Sequence, residues 1–402
     1  MTAAADTRWA APSGVARLTS FPTQDPQEHI DVFGPLPAIP GELVLRQIET
    51  SGLTGRGGGG FPTAAKLRAL AGRRGAVVVG NGNEGEPLSE KDAWLLSWAP
   101  NLVLDGLLLA ARAVGARRSY LATSRPELAE ELRDVVRMRG DRIEVALSER
   151  RFVSGEESAV VSVVGGGPAL PRDKLVRVYE RGVRGRPTLV CNVETLAHLA
   201  LIARFGAGWF RSAGMEDEPG TMLVTAAGAI GRPGVFEAPM GMPLTSLLEG
   251  MEAEPPRAVL LGGFHGGWIP GRAVERLDLS RKSLSVFGSS PGAGVVMVLG
   301  RADCGLMRSS AIATYLARQS TGQCGPCVNG LPRMADTLDR LAHGVRDRRL
   351  VTEVDRLRDL VAGRGACSHP DGTARFVGST MKVFADEVDL HLAGGCSASA
   401  AR

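Results

Sequence analysis

The sequence predicts an α/β layer fold with a mostly parallel sheet, followed by a small strand-rich domain and a helical C-terminal region. Residues 34–214 alternate short β-branched runs with amphipathic helices, the pattern of βαβ units. Residues 215–302 change to short strands separated by turn signals, and residues 303–402 carry apolar side chains at three-and-four spacing, which is helical.

Residues 1–33 mix Ala, Thr, Pro, Gln and Asp without a steady apolar period and are expected to form a mobile N-terminal arm. In the α/β part, AVVVGN at 76–81 and SYLAT at 119–123 read as strands, with one helix over about 99–116 between them and another in PELAEELRDVVRMRG. In the strand-rich part, TMLVTAAGAI, VFEAPMGM, AVLLGGFHGGWIP and VVMVLG read as strands, GRPG at 231–234 as a turn, and one helix falls near 244–250. The C-terminal helices are SSAIATYLARQS, LPRMADTLDRLAHGV and VTEVDRLRDLVAGRG.

Bulk properties exclude several classes. The balance of 47 Lys+Arg against 43 Asp+Glu leaves only +4, so charge calls for neither nucleic acid nor an anionic membrane as the main partner. The stretch MTAAADTRWAAPSG lacks the apolar core of a secretory signal, and the most apolar run, 98–116, is interrupted by Asp105 and Arg112, so no segment is expected to span a bilayer. Six cysteines in 402 residues do not make a disulfide framework, and a reducing, cytoplasmic compartment fits best. Glycine is the outlier: 52 residues, close to double the usual share of about 7%, and bunched into loops of the kind that bring backbone near a ligand.

The densest bunch lies in TGRGGGGFPTAAK, where Gly55, Gly57, Gly58, Gly59 and Gly60 precede a helix. Free amides at a helix N-terminus favour a phosphate or other anion, and Arg56 and Lys66 add positive charge. Asn81, Glu84 and Glu86 follow the strand AVVVG, where an open α/β sheet presents ligand-binding groups; a helix-capping acidic turn is the alternative. Glu156 and Glu157 follow Gly155 before an apolar run, so one of them could serve the first turn of a helix. Cys324 and Cys327 form CGPC, and Cys367 arrives 40 residues later; thiol sets of this spacing bind soft metals.

TGRGGGGFPTAAK resembles the FMN-binding loop, GRGGxGFPTxxK, of the family of the 51 kDa flavoprotein subunit of respiratory complex I, which includes subunits of NAD-linked hydrogenases and formate dehydrogenases. NGNEGEP, SGEESA, GRPTLVCNVETLA, GQCGPC and the lone Cys367 continue the match in the same order, over roughly residues 45–390. The resemblance implies a Rossmann-like FMN and nucleotide domain, a β-grasp domain of the soluble-ligand-binding type, and a helical bundle carrying a 4Fe-4S cluster. It implies that Gly55 to Gly60, Phe61, Lys66, Asn81, Asn83, Gly155, Glu156, Asn192 and Thr195 lie against FMN and nucleotide, with Glu84, Glu86 and Glu157 at the reacting end, and that Cys324, Cys327 and Cys367 hold the cluster. The acids would orient ribose hydroxyls and carboxamide, because hydride transfer depends on geometry more than on proton transfer.

Four departures modify that expectation. Thr321 stands where the family has the first cysteine of its triplet, so three of four ligands remain; Cys304, Thr321, a water or a partner residue could complete the set. Ala69 replaces a Phe that stacks on adenine, Asn83 an Asp, and Ser154 a frequent Cys. Cys191 and Cys396 read as ordinary thiols, and His265 as a loop residue. The function implied is that of an NADH-dehydrogenase-like oxidoreductase subunit: NADH or NADPH reduces FMN, and electrons pass to the cluster and on to a ferredoxin-like or thioredoxin-like 2Fe-2S partner, within a larger redox complex. The alternatives are a ferredoxin-linked electron carrier with a vestigial nucleotide site, or a non-catalytic scaffold.

Overall fold

The computed structural model describes residues 16–399. Its first sheet has four strands, β1 (Val77–Gly82), β2 (Arg118–Thr123), β3 (Ile143–Leu147) and β4 (Thr188–Asn192), in the order β3-β2-β1-β4 and all parallel. Helices cover both faces, as parallel strands require. Pro100–Val114 and Val193–Arg211 pack together on one side, and Leu102, Val103, Leu107, Leu196 and Ala200 are fully buried between them and the sheet.

From β1 the chain moves outward to β2 on one side, while β4 joins on the other. This reversal opens a crevice at the carboxyl ends of β1 and β4. The register sets Asn81 beside Asn192 at its edge.

The second sheet comprises β5 (Thr221–Gly228), β6 (Gly234–Pro239), β7 (Ala258–Leu261), β8 (Gly267–Pro270) and β9 (Val295–Leu299), in the order β6-β5-β9-β7-β8. First and last strands pair in parallel at the centre, with antiparallel hairpins at both edges, the arrangement of a β-grasp. Because side chains alternate across a strand, the sheet feeds two cores. Val259, Leu261, Ile269, Val296 and Val298 pack under the helix Leu244–Gly250. Ala258, Leu260, Trp268, Met297 and Leu299 pack against the C-terminal helices Gly305–Arg318, Leu331–Ala342, Arg349–Val361 and His369–Val383. Trp268 anchors that contact, with its indole N–H on Ser309 Oγ at 2.9 Å.

The expected mobile arm needs correction over 16–33; its first fifteen residues lie outside the described residues. The amides of Arg17, Leu18 and Thr19 donate to Glu237 Oε2 at 2.8, 2.9 and 3.1 Å, and Arg17 sits 4.3 Å over the Trp209 ring. Asp25 caps the helix Pro26–Phe33, whose His29 bonds Asp105 at 2.9 Å. Asp105, read as an interruption of an apolar helix, is a buried ion partner of Arg139 and Arg204. Neither feature leaves a period in the sequence, because each rests on hydrogen bonds to distant residues. Among the described residues no single helix is long and apolar enough to cross a membrane.

Candidate functional site

The glycine loop is a closed noose. Gly55 N donates to Phe61 O at 2.9 Å, Thr63 N to Leu53 O at 2.9 Å, and Thr54 bridges Pro62. Gly58 and Gly60 take φ of +102° and +59°, backbone that L side chains rarely adopt. The noose delivers the chain to the helix Thr63–Leu70, whose N-cap, Pro62, provides no side-chain acceptor.

Gly57, Gly58 and Gly59 form one wall of a cavity of about 420 Å³ that Asn81, Asn83, Glu86 and Asn192 also line. A second cavity, about 370 Å³, is lined by Gly55, Gly59, Gly60, Phe61, Lys66, Gly155, Glu156, Glu157, Asn192 and Thr195. A third, about 590 Å³, shares Phe61, Lys66 and Glu157 and adds Ala69 and Tyr179. Volumes of this size suit cofactors and nucleotides.

The side chains divide into those that build the crevice and those that face it. Asn192 caps the helix Val193–Arg211 through Glu194 N (3.0 Å) and donates to Asp92 at 2.6 Å; Asn81 donates to Gly155 O at 3.0 Å. Thr195 Oγ1 receives the Arg56 amide at 2.9 Å, which fixes the noose to that helix. Gly155 must be glycine because a Cβ would lie 2.8 Å from Asn83 O.

Glu84 caps the helix Lys91–Trp98: it accepts from Ser89 Oγ (2.7 Å), Asp92 N (2.9 Å) and Ala93 N (3.1 Å). Glu156 caps Glu157–Val164 through Ser158 N and Ala159 N. The capping alternative therefore describes both acids. Glu157 projects instead to Lys66 Nζ, at 3.3 Å.

Arg56 does not charge the cavity as expected. Its guanidinium is buried, bonded to Pro219 O and Thr54 Oγ1 at 3.0 Å each. Beneath the noose, Lys91 pairs with Asp92 (2.6 Å) and Glu194 (2.8 Å) at 2% side-chain exposure. Burial alone would lower the Lys91 ammonium, but the two carboxylates override it and hold the charge.

Unpartnered polar atoms mark what the crevice is shaped to receive. Asn83 Oδ1 and Glu86 Oε1 are shielded from solvent and bonded to nothing in the protein, while Glu86 Oε2 accepts from Phe264 N at 2.8 Å. Burial raises the Glu86 carboxyl to about 7. A Cβ on Gly59 would meet open space, so the loop's peptide face is free to approach a flat ligand. Phosphate beside glycine amides and Lys66, and a planar polar ring against Asn83 and Glu86, fit FMN.

The far wall escaped the sequence reading. His265, Ser289, Ser290, Gly292 and Ser368 complete the first cavity, and Ser368 also lines the second. His369 Nε2 donates to Leu316 O at 2.9 Å, so its Nδ1 is left to accept from His265 Nε2 at 3.2 Å; burial depresses both rings, which are neutral. Only the fold brings these residues to the crevice, so no local signal could have found them.

The thiols of Cys324, Cys327 and Cys367 come together at the start of the turn Pro326–Gly330. Burial pushes the Cys324 thiol up, and amide hydrogen bonds from Ala366 and Cys327 more than reverse it. Ser320 donates to Cys327, whereas Thr321 Oγ1 accepts from Gln323 at 3.0 Å. Three convergent thiols with the Ser320 hydroxyl alongside fit an iron–sulfur cluster held by fewer than four thiolates. Cys304 is not part of this set: its sulfur lies 3.4 Å from His391 and 3.5 Å from Glu387.

Comparison with known proteins agrees with this geometry. The family described as the Nuo51 FMN-binding domain matches residues 48–201, and that described as the NADH-ubiquinone oxidoreductase-F iron-sulfur binding region matches residues 300–391. The chain is 29% identical to an NADH-quinone oxidoreductase subunit of Rhizobium meliloti, over 87% of this chain and 88% of that protein. It is 28% identical to the corresponding NADH-quinone oxidoreductase subunit of Streptomyces coelicolor, over 98% and 96%. A chain of an NAD+-reducing [NiFe]-hydrogenase, solved in the H2-reduced state, superposes with a TM-score of 0.80 at 28% identity over 93% of this chain; this chain spans 66% of that longer one. On these matches, the chain belongs to the family of the 51 kDa flavoprotein subunit of respiratory complex I and related NAD-linked enzymes.

Proposed function

We propose that this chain is an electron-entry oxidoreductase subunit in which a reduced nicotinamide nucleotide meets FMN in the β1–β4 crevice and electrons leave through a cluster held by Cys324, Cys327 and Cys367. One observation carries the reading: Ser368 lines both flavin-sized cavities, and its covalent neighbour Cys367 belongs to the converging thiols. FMN supplies the exchange between two-electron hydride chemistry and single-electron transfer.

The protein's part is placement. The noose amides and Lys66 hold phosphate, Thr195 fixes the noose to the helix Val193–Arg211, Asn81 and Asn192 brace the crevice wall, and Glu86 with Asn83 offers acceptors to the ring and carboxamide. Glu157 is held at the rim by Lys66, where it can receive ribose hydroxyls, and Glu84 and Glu156 stiffen the walls as helix caps. Ala69 leaves space where the family has an aromatic ring, and Tyr179 lines that same cavity, its ring 6.0 Å from Arg73 Cζ. A ring there can stack adenine in place of the missing one, which favours a working nucleotide site over a vestigial one.

Relatives named as subunits of NADH-quinone oxidoreductase and an NAD+-reducing hydrogenase support assembly into a larger redox complex. A small 2Fe-2S protein is the acceptor we favour, reached on the cytoplasmic side. The test is anaerobic purification followed by flavin and iron analysis and titration with NADH and NADPH. Retained flavin bleached by either nucleotide supports the reading; protein that holds no flavin, or flavin that neither nucleotide reduces, refutes it.

A further inference from the structure

The crevice and its cluster leave one set of metal-binding side chains unused. Cys304, Glu387, His391 and Cys396 bring one ligand atom each to within 4.8 Å of one another, and the first three are buried. Cys304 Sγ lies 3.4 Å from His391 Nε2 and 3.5 Å from Glu387 Oε1, and these last two atoms are 3.2 Å apart. Bonds of about 2.0–2.3 Å around a tetrahedral ion put its ligand atoms roughly 3.3–3.8 Å apart. The Cys304, Glu387 and His391 atoms stand at about that spacing before any ion enters, and Cys396 Sγ lies within 4.8 Å of each. It is too tight for a four-iron cluster, and among the described residues it is the one group of His, Cys, Asp and Glu atoms this compact.

The backbone builds it from three directions. Cys304 is the N-cap of Gly305–Arg318, and Glu387 and His391 share a face of Ala385–Leu392 one turn apart. Gly394, at φ +87°, turns the chain back so that Cys396 returns beneath that face. Gly395 N closes the turn on Leu390 O at 2.8 Å. Outer groups are in place as well: Arg257 pairs with Glu387 Oε2, and Ser397 N donates to Glu387 Oε1 at 3.0 Å. Such contacts orient metal ligands. Two thiolates and a carboxylate bring three negative charges; a divalent ion cancels two and Arg257 the third.

We infer that Cys304, Glu387, His391 and Cys396 form a structural zinc site, separate from the iron–sulfur thiols, that clips the C-terminal segment to the helical bundle and, through Arg257, to the second sheet. Four protein ligands with no open position make the site structural instead of catalytic. The site stands whether or not the flavin reading holds.

Metal analysis of the full chain, purified from zinc-supplemented cells, tests it. One zinc per chain is expected, lost in Cys396→Ser and in His391→Asn while flavin and iron persist, and unchanged in Cys324→Ser. Wild-type chain that carries no zinc and takes none from added zinc chloride overturns the inference, as does zinc that survives both ligand substitutions or disappears with Cys324→Ser. Should the ligand variants fail to fold, Co2+ added to zinc-depleted wild type decides: thiolate-to-cobalt charge-transfer bands with intense tetrahedral d–d absorption support the site, and a weak octahedral spectrum overturns it.

Discussion

Replacing Glu86 with Gln removes the ionisable group at the heart of the crevice while keeping its shape. In the folded chain the Glu86 carboxyl is raised from 4.5 to about 7, with burial as the main cause and the Phe264 amide opposing it. Between those two values the folded state holds a proton that the unfolded chain releases, so stability falls as pH rises. The full decline is about 3 kcal/mol, at 1.36 kcal/mol per pKa unit. Part of it has already occurred at pH 5.5, so from pH 5.5 to 8.5 wild type should lose about 2 kcal/mol relative to a variant that cannot titrate there. Gln fits without rearrangement: its oxygen can accept from Phe264 N, and its NH2 takes the place of Oε1, which has no protein partner.

The assay is urea unfolding of flavin-free wild type and Glu86→Gln at several pH values, with the difference in midpoint read against pH. The expected curve is a gap that widens in favour of Glu86→Gln with rising pH and levels off above about pH 8. A pH-independent gap, or one that widens toward acid, would show that the carboxyl is solvated and that its shielded oxygen is not the crevice's ligand-seeking acceptor.

Three further substitutions separate binding from scaffolding. Gly59→Val directs a side chain into the open space beside the noose, where a Cβ meets no atom within 4 Å; flavin content should drop at least about tenfold while the flavin-free melting temperature holds, since surface changes of this kind stay near ±0.5 kcal/mol. Tyr179→Ala should raise KM for the nucleotide about tenfold with kcat little changed, from loss of a stacking contact valued at roughly 1–3 kcal/mol, and an unaltered KM in steady-state kinetics would remove Tyr179 from the adenine site. Glu237→Ala strands the amides of residues 17–19 and two threonine hydroxyls, at a cost of about 3 kcal/mol or more; limited proteolysis should then release the N-terminal segment, and unchanged protection would mean that other contacts hold it.

What could be read in advance was local. The strands β1 and β2 stand within about a residue of their expected bounds because β-branched runs between turn residues have few other uses. The helix His369–Val383 was missed because Pro370, Gly372 and Gly378 suppress its propensity. In the folded chain packing demands the first of those glycines, because a Cβ at 372 would lie 2.4 Å from the His265 ring, whereas one at 378 would only press at 3.2 Å on the flexible Arg358 side chain. At Gly372 tertiary contact overrides intrinsic preference.

The two acids at 156 and 157 show how far residue type goes without direction. Both were expected at the cofactor, and adjacency forbids a common orientation; the helix start takes Glu156 as its cap and leaves Glu157 for Lys66. Arg56 fails for the same reason. Its charge was legible, but its guanidinium turns inward to the Pro219 carbonyl, a partner supplied by the next domain.

The two thiol sets make the limit explicit. CGPC declares itself because the turn that aligns its sulfurs is contained in four residues, so spacing alone conveys the geometry. Cys304 and Cys396 stand 92 residues apart, one heading a helix and the other beyond a glycine turn; in sequence Cys396 reads as an ordinary thiol, and Cys304 only as one of several candidates to complete the iron–sulfur set. Only the closure of the helical bundle, which sets Glu387 and His391 beside them, turns two distant cysteines into a four-ligand set. Loop closure of that length is costly in entropy, so an ion bridging its ends should stabilise the native bundle, and zinc removal should lower the unfolding midpoint of the C-terminal helices before that of the flavin sheet.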